Sequence, residues 1–221
     1  LGVKFTDEVG NVFEGCASNM EFVRQIDLSG LDPLAREAEI TVLCDVTNPM
    51  FGNNGATAVF GPQKGADEAD LERLERGVRN LAGRYNAIAG REVSSDPGAG
   101  AAGAMGGMLA ALLGAKLVNG AEAVLDQLGF DKRIAGSDIV VTGEGRFDGT
   151  SVDSRKATGE VIARAKAQHA VPVVIAGCLG AGWETVLEDA DVPVFSTVTG
   201  ENGRLLETDR ERLMRTAEQA F

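Results

Sequence analysis

The sequence predicts an α/β fold, with a doubly wound parallel sheet in the C-terminal part of the chain. From residue 138 onward, short apolar runs alternate with helical runs, which is typical of parallel βαβ units. We expect three strands, at residues 138–142, 171–176 and 192–198, to be neighbours in one sheet. Glycine is abundant, with 29 of 221 residues, and aromatic residues make up only 5%. The core must therefore consist of Val, Ile, Leu and Ala, which favours an α/β fold over a β-sandwich.

Earlier in the chain the pattern is less regular, so we expect two domains, over residues 1–132 and 133–221. Residues 3–13 predict a β-hairpin. Ile40–Val46 is β-rich and apolar, and it predicts a buried strand that ends at Asp45. The N-terminal domain is therefore expected to carry a mixed sheet.

The helical segments follow from capping residues and apolar spacing. Asp67 is a suitable N-cap, Asp70 adds an acidic residue to the first turn, and apolar residues follow at helical intervals. The segment 48–65 contains four glycines and two prolines and predicts a loop without secondary structure. Further helices are predicted at residues 108–113, 121–128, 159–168, 183–187 and 207–220.

Charge and composition exclude several classes of function. The net charge of −12 and the absence of a basic run argue against nucleic acid and against an anionic membrane surface as partners. No apolar run is long enough to span a membrane. Cys16, Cys44 and Cys178 are scattered and odd in number, so we expect a reduced, cytoplasmic protein without a zinc site. The single histidine, His169, leaves no basis for Ser-His-Asp chemistry or a histidine metal site.

The first candidate site follows the predicted strand that ends at Asp45. Open α/β sheets bind ligands at the carboxyl ends of their strands, so Asp45 is placed to accept a proton from a substrate hydroxyl or to help hold Mg²⁺. Asn48 can orient a substrate, and Lys64, between two glycines, can reach phosphate or carboxylate oxygens. The alternative is a carboxylate that only caps a turn, in a loop whose glycine and proline residues only serve its bends.

The second candidate site is rich in glycine. Gly98, Gly100 and Gly103 have the spacing GxGxxG, which allows backbone N–H groups to approach a phosphate at a helix N-terminus. A turn sequence rather than a strand precedes them, so a dinucleotide site is not expected. The alternative is a helix of small residues that packs tightly against a neighbour.

The third candidate site follows the strand predicted at 138–142. Gly143 and Glu144 begin it, and Arg146 and Asp148 complete it. An arginine can stabilise charge on a transferring phosphoryl group, and the two acids can bind Mg²⁺. The alternative is a salt-bridged surface turn. A fourth glycine-rich segment, 176–182, is interpreted as a plain turn.

Four stretches, in this order, resemble the bacterial glycerate kinase family of type 1. They are Cys-Asp-Val-x-Asn-Pro from Cys44, Phe-Gly-Pro-Gln-Lys-Gly from Phe60, Pro-Gly-Ala-Gly-Ala-Ala-Gly from Pro97, and Thr-Gly-Glu-Gly-Arg-x-Asp from Thr142. The resemblance spans most of the chain, as the C-terminal portion of the family's sequence. The family's N-terminal Asp-Ser-Phe-Lys motif has no counterpart in these residues, so we expect the 221 residues alone to be inactive.

The resemblance implies a two-domain kinase that transfers the γ-phosphoryl group of ATP to a hydroxyl of D-glycerate, with Mg²⁺. Residues 1–132 would belong to an inserted, substrate-side α/β domain, and residues 133–221 to a Rossmann-like domain. The implied roles are catalytic for Asp45, Lys64 and Arg146; substrate or phosphate binding for Asn48, Gly98, Gly100, Gly103, Gly143 and Glu144; and Mg²⁺ binding for Glu144 and Asp148.

If the kinase interpretation holds, we expect these residues to line one cleft. The alternative function is a non-catalytic module of the same fold that binds a nucleotide or a hydroxy acid. The sequence leaves open whether the product is 2- or 3-phosphoglycerate. It also leaves open the oligomeric state, for which a homodimer is the assembly to test.

Overall fold

A computed structural model describes residues 1–153, 156–184, 192–197, 214, 216–218 and 220. The chain divides into two compact units, Leu1–Gly120 and Ala121–Phe221. The sequence-based boundary after residue 132 therefore lies inside the second unit. The substrate-side role of the first unit and the Rossmann-like role of the second stay predictions.

The first unit contains two separate two-stranded sheets. β1 (Lys4–Thr6) pairs antiparallel with β2 (Gln25–Asp27), and β3 (Thr41–Cys44) pairs parallel with β4 (Lys116–Asn119). The mixed pairing expected here is thus divided between two small sheets. The helices of this unit are α1 (Pro33–Glu37), α2 (Ala56–Phe60), α3 (Glu68–Ala89) and α4 (Ala101–Leu113), with 3₁₀ turns at Ala17–Phe22 and Pro62–Lys64.

The hairpin predicted over residues 3–13 is only partly formed. Its turn is present, because one carboxylate oxygen of Asp7 accepts a hydrogen bond from the amide of Asn11 at 2.9 Å. Thr6 and Val12 form an antiparallel bridge, and the amide of Phe13 donates to the carbonyl oxygen of Phe5 at 2.9 Å. The predicted pairing is therefore confirmed over this short stretch. β1 also pairs with β2, which was not predicted, because local alternation shows that a segment is extended and not every segment that it pairs with.

The region around β3 also differs from the prediction. The strand ends directly before Asp45, as expected, but it is not a buried strand, because only Cys44 is buried and Leu43 is 53% exposed. Its partner β4 was not predicted. The segment 48–65 is not a plain loop, since it contains α2 and a 3₁₀ turn. Elements of three to five residues are too short to show a periodicity.

The long helix α3 supports the core of the first unit. Asp67 caps it as predicted, accepting a hydrogen bond from the amide of Asp70 at 2.9 Å. One face of the helix is buried and packs against Met50 and Val93, which have no exposed surface. The buried residues of this face are Gly77, Val78, Leu81, Ala82 and Tyr85.

The second unit carries the predicted parallel sheet. β5 (Ile139–Phe147), β6 (Val171–Leu179) and β7 (Val194–Ser196) are neighbours in that order, and both pairings are parallel. This confirms the predicted α/β fold class and the prediction that the three strands are parallel neighbours in one sheet. Up to residue 184, its described helices are α5 (Gly120–Gln127), α6 (Phe130–Ile134), α7 (Thr150–Asp153) and α8 (Ala157–Ala167).

The core of the second unit lies where α8 packs on the sheet. Phe147 and Val174 have no exposed surface and pack with Ile162 of α8 and Val192. Most of the helix predicted at 207–220, and most of the one at 183–187, falls on residues that the structure does not describe. Within the described residues, no helix is both long enough and apolar enough to cross a membrane.

Candidate functional site

Asp45 lies at the carboxyl end of β3, beside the glycine-rich segment. Its side chain is exposed and makes no hydrogen bond or ion pair within the first unit, so the alternative that it caps a turn gains no support. The neighbouring Cys44 is buried, and its Sγ donates to the carbonyl oxygen of Gly98 at 3.8 Å. Burial, together with the negative charge of Asp45, raises the pKa of the Cys44 thiol, so the thiol stays protonated and can donate.

The loop after β3 packs closely against the glycine-rich segment. The amide of Gly100 donates to the carbonyl oxygen of Asn48 at 2.8 Å, and the Asn48 side chain donates to the carbonyl oxygen of Asn54 at 2.7 Å. A Cβ atom on Gly100 would lie 2.2 Å from the carbonyl oxygen of Pro49. Asn48 and Gly100 are therefore neighbours. The geometry at Gly100 favours the close-packing alternative, because its N–H group already has a partner.

The start of α4 has an unusual backbone. Ala102, Gly103 and Ala104 have φ values of 52°, 70° and 73°, so three consecutive residues are left-handed. This conformation costs about 1–2 kcal/mol for each residue that carries a side chain. The two alanines make the segment a candidate for stored strain, which is concentrated at functional sites. The sequence does not indicate this strain, because alanine is not a residue that predicts a left-handed backbone.

Lys64 and Gly103 line one cavity of about 440 Å³ within the first unit. Lys64 is exposed and is the only cationic residue of that lining. Most of the lining is apolar, from β1, α3 and α4, and neither Asp45 nor Asn48 belongs to it. Lys64 and Gly103 therefore face the same cavity. The other candidate residues form a separate group, in which Asn48 contacts Gly100 and Cys44 contacts Gly98.

In the second unit, glycine residues allow the carboxyl ends of β5 and β6 to lie close together. A Cβ atom on Gly143 would lie 2.2 Å from the carbonyl oxygen of Ile175, and one on Gly177 would lie 2.5 Å from that of Gly145. The hydroxyl of Thr158, at the start of α8, donates to the carbonyl oxygen of Gly143 at 3.4 Å. These contacts place the 143–148 segment between β6 and the N-terminus of α8.

A charged cluster lies at the carboxyl end of β5. The strand continues past the predicted end at residue 142, so Glu144 and Arg146 are part of it and Asp148 directly follows it. Arg146 Nε lies 3.7 Å from Asp148 Oδ2, and Lys156 Nζ donates to the Thr150 hydroxyl at 3.3 Å. Asp148 Oδ1 accepts hydrogen bonds from the Thr150 hydroxyl and amide, at 2.7 and 2.9 Å. These hydrogen bonds, with the charges of Lys156 and Arg146, hold the pKa of Asp148 below its usual value against the effect of burial. Asp148 is therefore ionised, and two cations lie beside it.

Glu144 is the second acid of this cluster. Its Oε1 atom is buried and accepts no hydrogen bond from the described residues. An unpaired buried carboxylate oxygen is costly unless a donor or a cation meets it. Within the described residues, no group of three or more His, Cys, Asp or Glu side chains is arranged to hold a metal ion.

Two residues of this cluster did not follow from the sequence. Gly180 belongs to the segment interpreted as a plain turn, but an ideal Cβ atom on it would lie 2.6 Å from Arg146 Nε. Thr150 holds Asp148 through two hydrogen bonds. An Asp-x-Thr spacing at the start of a helix was a signal that could have identified Thr150. No sequence signal indicates Gly180, because its role depends on a neighbouring strand.

The sequence resembles known proteins over its full length. The model of the glycerate kinase family matches residues 1–221. A glycerate kinase of Halalkalibacterium halodurans is 40% identical over 199 residues, which are 90% of this chain and 52% of the relative. A glycerate 2-kinase of Escherichia coli K12 has the same identity and coverage.

A solved structure is similar as well. A crystal structure of a protein assigned as glycerate kinase 2, from Salmonella typhimurium LT2, matches with a TM-score of 0.75 and 35% sequence identity. The match covers 100% of this chain and 57% of that chain. The chain thus spans about half the length of the relatives that it matches. Since a family model covers every residue, the chain belongs to the glycerate kinase family.

Proposed function

We propose that this chain is part of an enzyme that transfers the γ-phosphoryl group of ATP to a hydroxyl of glycerate. The observation that carries the proposal is the cluster at the carboxyl end of β5. There Arg146, Lys156 and the carboxylates of Glu144 and Asp148 adjoin glycine-rich strand ends. Phosphoryl transfer depends mainly on positioning and charge stabilisation, which such a cluster supplies. We infer glycerate as the substrate from the relatives, which are named as glycerate kinases.

In this proposal Arg146 stabilises negative charge on the phosphoryl group during transfer. Its side chain is 55% exposed, so it can reach a ligand. The ion pair with Asp148, at 3.7 Å between Nε and Oδ2, restricts the positions that the guanidinium can take. A planar guanidinium can bind two phosphoryl oxygens at once. Lys156 adds a second cation, which acts as a point charge.

Glu144 is the acid that best fits Mg²⁺. Its Oε1 atom is buried and without a hydrogen-bond donor, whereas both oxygens of Asp148 already face Thr150 or Arg146. Mg²⁺ in kinases is commonly held by one or two carboxylates together with substrate phosphates. We therefore propose Glu144 as the first protein ligand and Asp148 as a second one. When bound, the ion would neutralise charge on the β- and γ-phosphates.

Asp45 is the proposed base. It is exposed at the end of β3, with no partner within the first unit, so it can accept the proton of a glycerate hydroxyl. Asn48, Lys64 and the glycine residues at 98–103 stay candidates for binding substrate or phosphate. The contact between Asn48 and Gly100 favours a structural role for that pair.

The assay for this function uses the full-length gene product with D-glycerate, ATP and Mg²⁺, and identifies the product by NMR. We expect phosphoglycerate to form, and the name of the Escherichia coli relative favours phosphorylation at position 2. Binding of ATP or glycerate by calorimetry without turnover would support the non-catalytic alternative. ATP hydrolysis that does not depend on glycerate would contradict the proposed acceptor.

The role of Asp45 is tested by Asp45→Asn in the full-length enzyme. Loss of a positioned base should lower kcat by about 10²–10⁴-fold, with little change in KM for ATP. Glu37→Gln is a matched control, since Glu37 is also an exposed acid of the first unit. A near-wild-type kcat for Asp45→Asn would remove Asp45 from the mechanism.

A further inference from the structure

We propose that Gly180 is a positioning residue that keeps the Arg146 guanidinium in place for phosphoryl transfer. The inference rests on the proposed function for its catalytic consequence, and on the geometry of the second unit for its structural part. Gly180 follows β6 directly and is buried. It therefore faces the cluster from the strand beside β5.

Three distances define the contact. An ideal Cβ atom on Gly180 would lie 2.6 Å from Nε and 3.1 Å from Nη2 of Arg146, and 2.8 Å from Cβ of Asp148. All three are shorter than an ordinary van der Waals contact. The guanidinium thus occupies the space that any side chain at position 180 would need.

Backbone conformation is not the reason for a glycine here. Gly180 is not one of the residues with a positive φ, whereas Gly182 nearby has a φ of +80°. Another residue could therefore adopt the backbone of Gly180 without strain. A glycine is needed at position 180 because the Arg146 guanidinium leaves no space for a side chain. The turn alone would not require a glycine.

The backbone of Gly180 is fixed by hydrogen bonds to the end of β5. Its amide donates to the carbonyl oxygen of Phe147 at 2.8 Å, and the amide of Gly149 donates to the carbonyl oxygen of Ala181 at 3.2 Å. Because these hydrogen bonds fix the backbone of the turn, a methyl group added at position 180 cannot move away from Arg146. The end of the flexible Arg146 side chain must move, and Asp148 must shift by a few tenths of an ångström, because its Cβ atom would lie 2.8 Å away. A substitution at position 180 should therefore displace the guanidinium most, with a smaller local shift at Asp148.

The first test is kinetic and uses the full-length enzyme. Gly180→Ala should lower kcat by about 10²-fold, because a displacement of about 1 Å can cost that much, and KM for ATP and glycerate should change less. In an Arg146→Ala background, Gly180→Ala should lower kcat much less, because only the contact with Cβ of Asp148 remains. An equal fall in both backgrounds, or no fall in the wild-type background, would overturn the proposal.

The second test does not depend on activity. The Nε–Hε resonance of Arg146, assigned by its loss in Arg146→Ala, should shift in Gly180→Ala while the unfolding temperature stays within a few degrees. An unshifted resonance, or a variant that does not fold, would contradict displacement of a flexible side chain. If the wild-type enzyme does not phosphorylate glycerate, the proposed function fails, and this measurement still decides whether Gly180 positions Arg146.

Discussion

Gly98 offers a quantitative test of how the glycine-rich segment packs against the end of β3. Its φ is +87°, and an ideal Cβ atom would lie 2.7 Å from Sγ and 3.0 Å from Cβ of Cys44. In Gly98→Ala the left-handed backbone should cost about 1–2 kcal/mol. The overlap with a buried neighbour should add about 1–3 kcal/mol. We therefore expect the free energy of unfolding to fall by about 2–5 kcal/mol.

Gly114→Ala is the matched control. Gly114 has a φ of +65°, but a Cβ atom on it would meet nothing within 4 Å, so the substitution carries only the backbone cost of about 1–2 kcal/mol. The difference between the two variants should be about 1–3 kcal/mol. That corresponds to about 2–12 °C in unfolding temperature for a chain of this size.

Urea unfolding measures both variants. Tyr85 is the only tyrosine of the sequence and is buried in the first unit, so its signal follows the unfolding of that unit. In a Cys44→Ala background the closer contact disappears, and Gly98→Ala should then cost less. Equal destabilisation by Gly98→Ala and Gly114→Ala, within about 0.5 kcal/mol, would refute the packing of Gly98 on Cys44.

Two further predictions concern buried polar groups. Burial raises the pKa of Tyr85 to about 12. The contribution of neutral Tyr85 to the free energy of unfolding is therefore fully present below the unfolded pKa of about 10, and it is lost as pH rises from about 10 to about 12. A pH titration of the folded protein in which tyrosinate forms with a midpoint near 10 would contradict this. Arg164→Ala should lower the free energy of unfolding by about 3 kcal/mol, because Glu160, with a side chain only 9% exposed, loses its guanidinium at 3.0 Å. Glu39→Gln, which removes an exposed ion pair, should cost less than about 1 kcal/mol in the same urea experiment, and similar losses for both variants would contradict the reasoning.

The sheet of the second unit could be predicted because its strands have a strong local signal. Short segments rich in Val and Ile, separated by helical segments, predicted β5, β6 and β7 as parallel neighbours. The first unit gave a weaker signal, because β1 and β2 have three residues each and pair across a long connection. Pairing between distant short strands depends on tertiary packing, which local periodicity does not record.

The candidate site shows the same limit. Arg146 and Asp148 could be predicted from charged residues near a strand end, and their ion pair is present, although β5 extends through Arg146. Gly180 could not, because its significance depends on the contact between two strands. Asn48 and Gly100 were expected to bind ligand, but their hydrogen bond to each other was not foreseen, since a spacing of glycines does not show which amides already have partners.

The proposal that the cluster at the carboxyl end of β5 performs phosphoryl transfer is tested most directly by Arg146→Ala in the full-length enzyme. Arg146 makes one long ion pair and is 55% exposed, so its removal should leave the unfolding temperature nearly unchanged. Steady-state kinetics with ATP and glycerate should show kcat lower by about 10²–10³-fold, with a smaller change in KM for ATP, because the guanidinium acts mainly on charge that develops during transfer. A kcat within about twofold of the wild-type value, in a folded and fully soluble variant, would contradict the proposal.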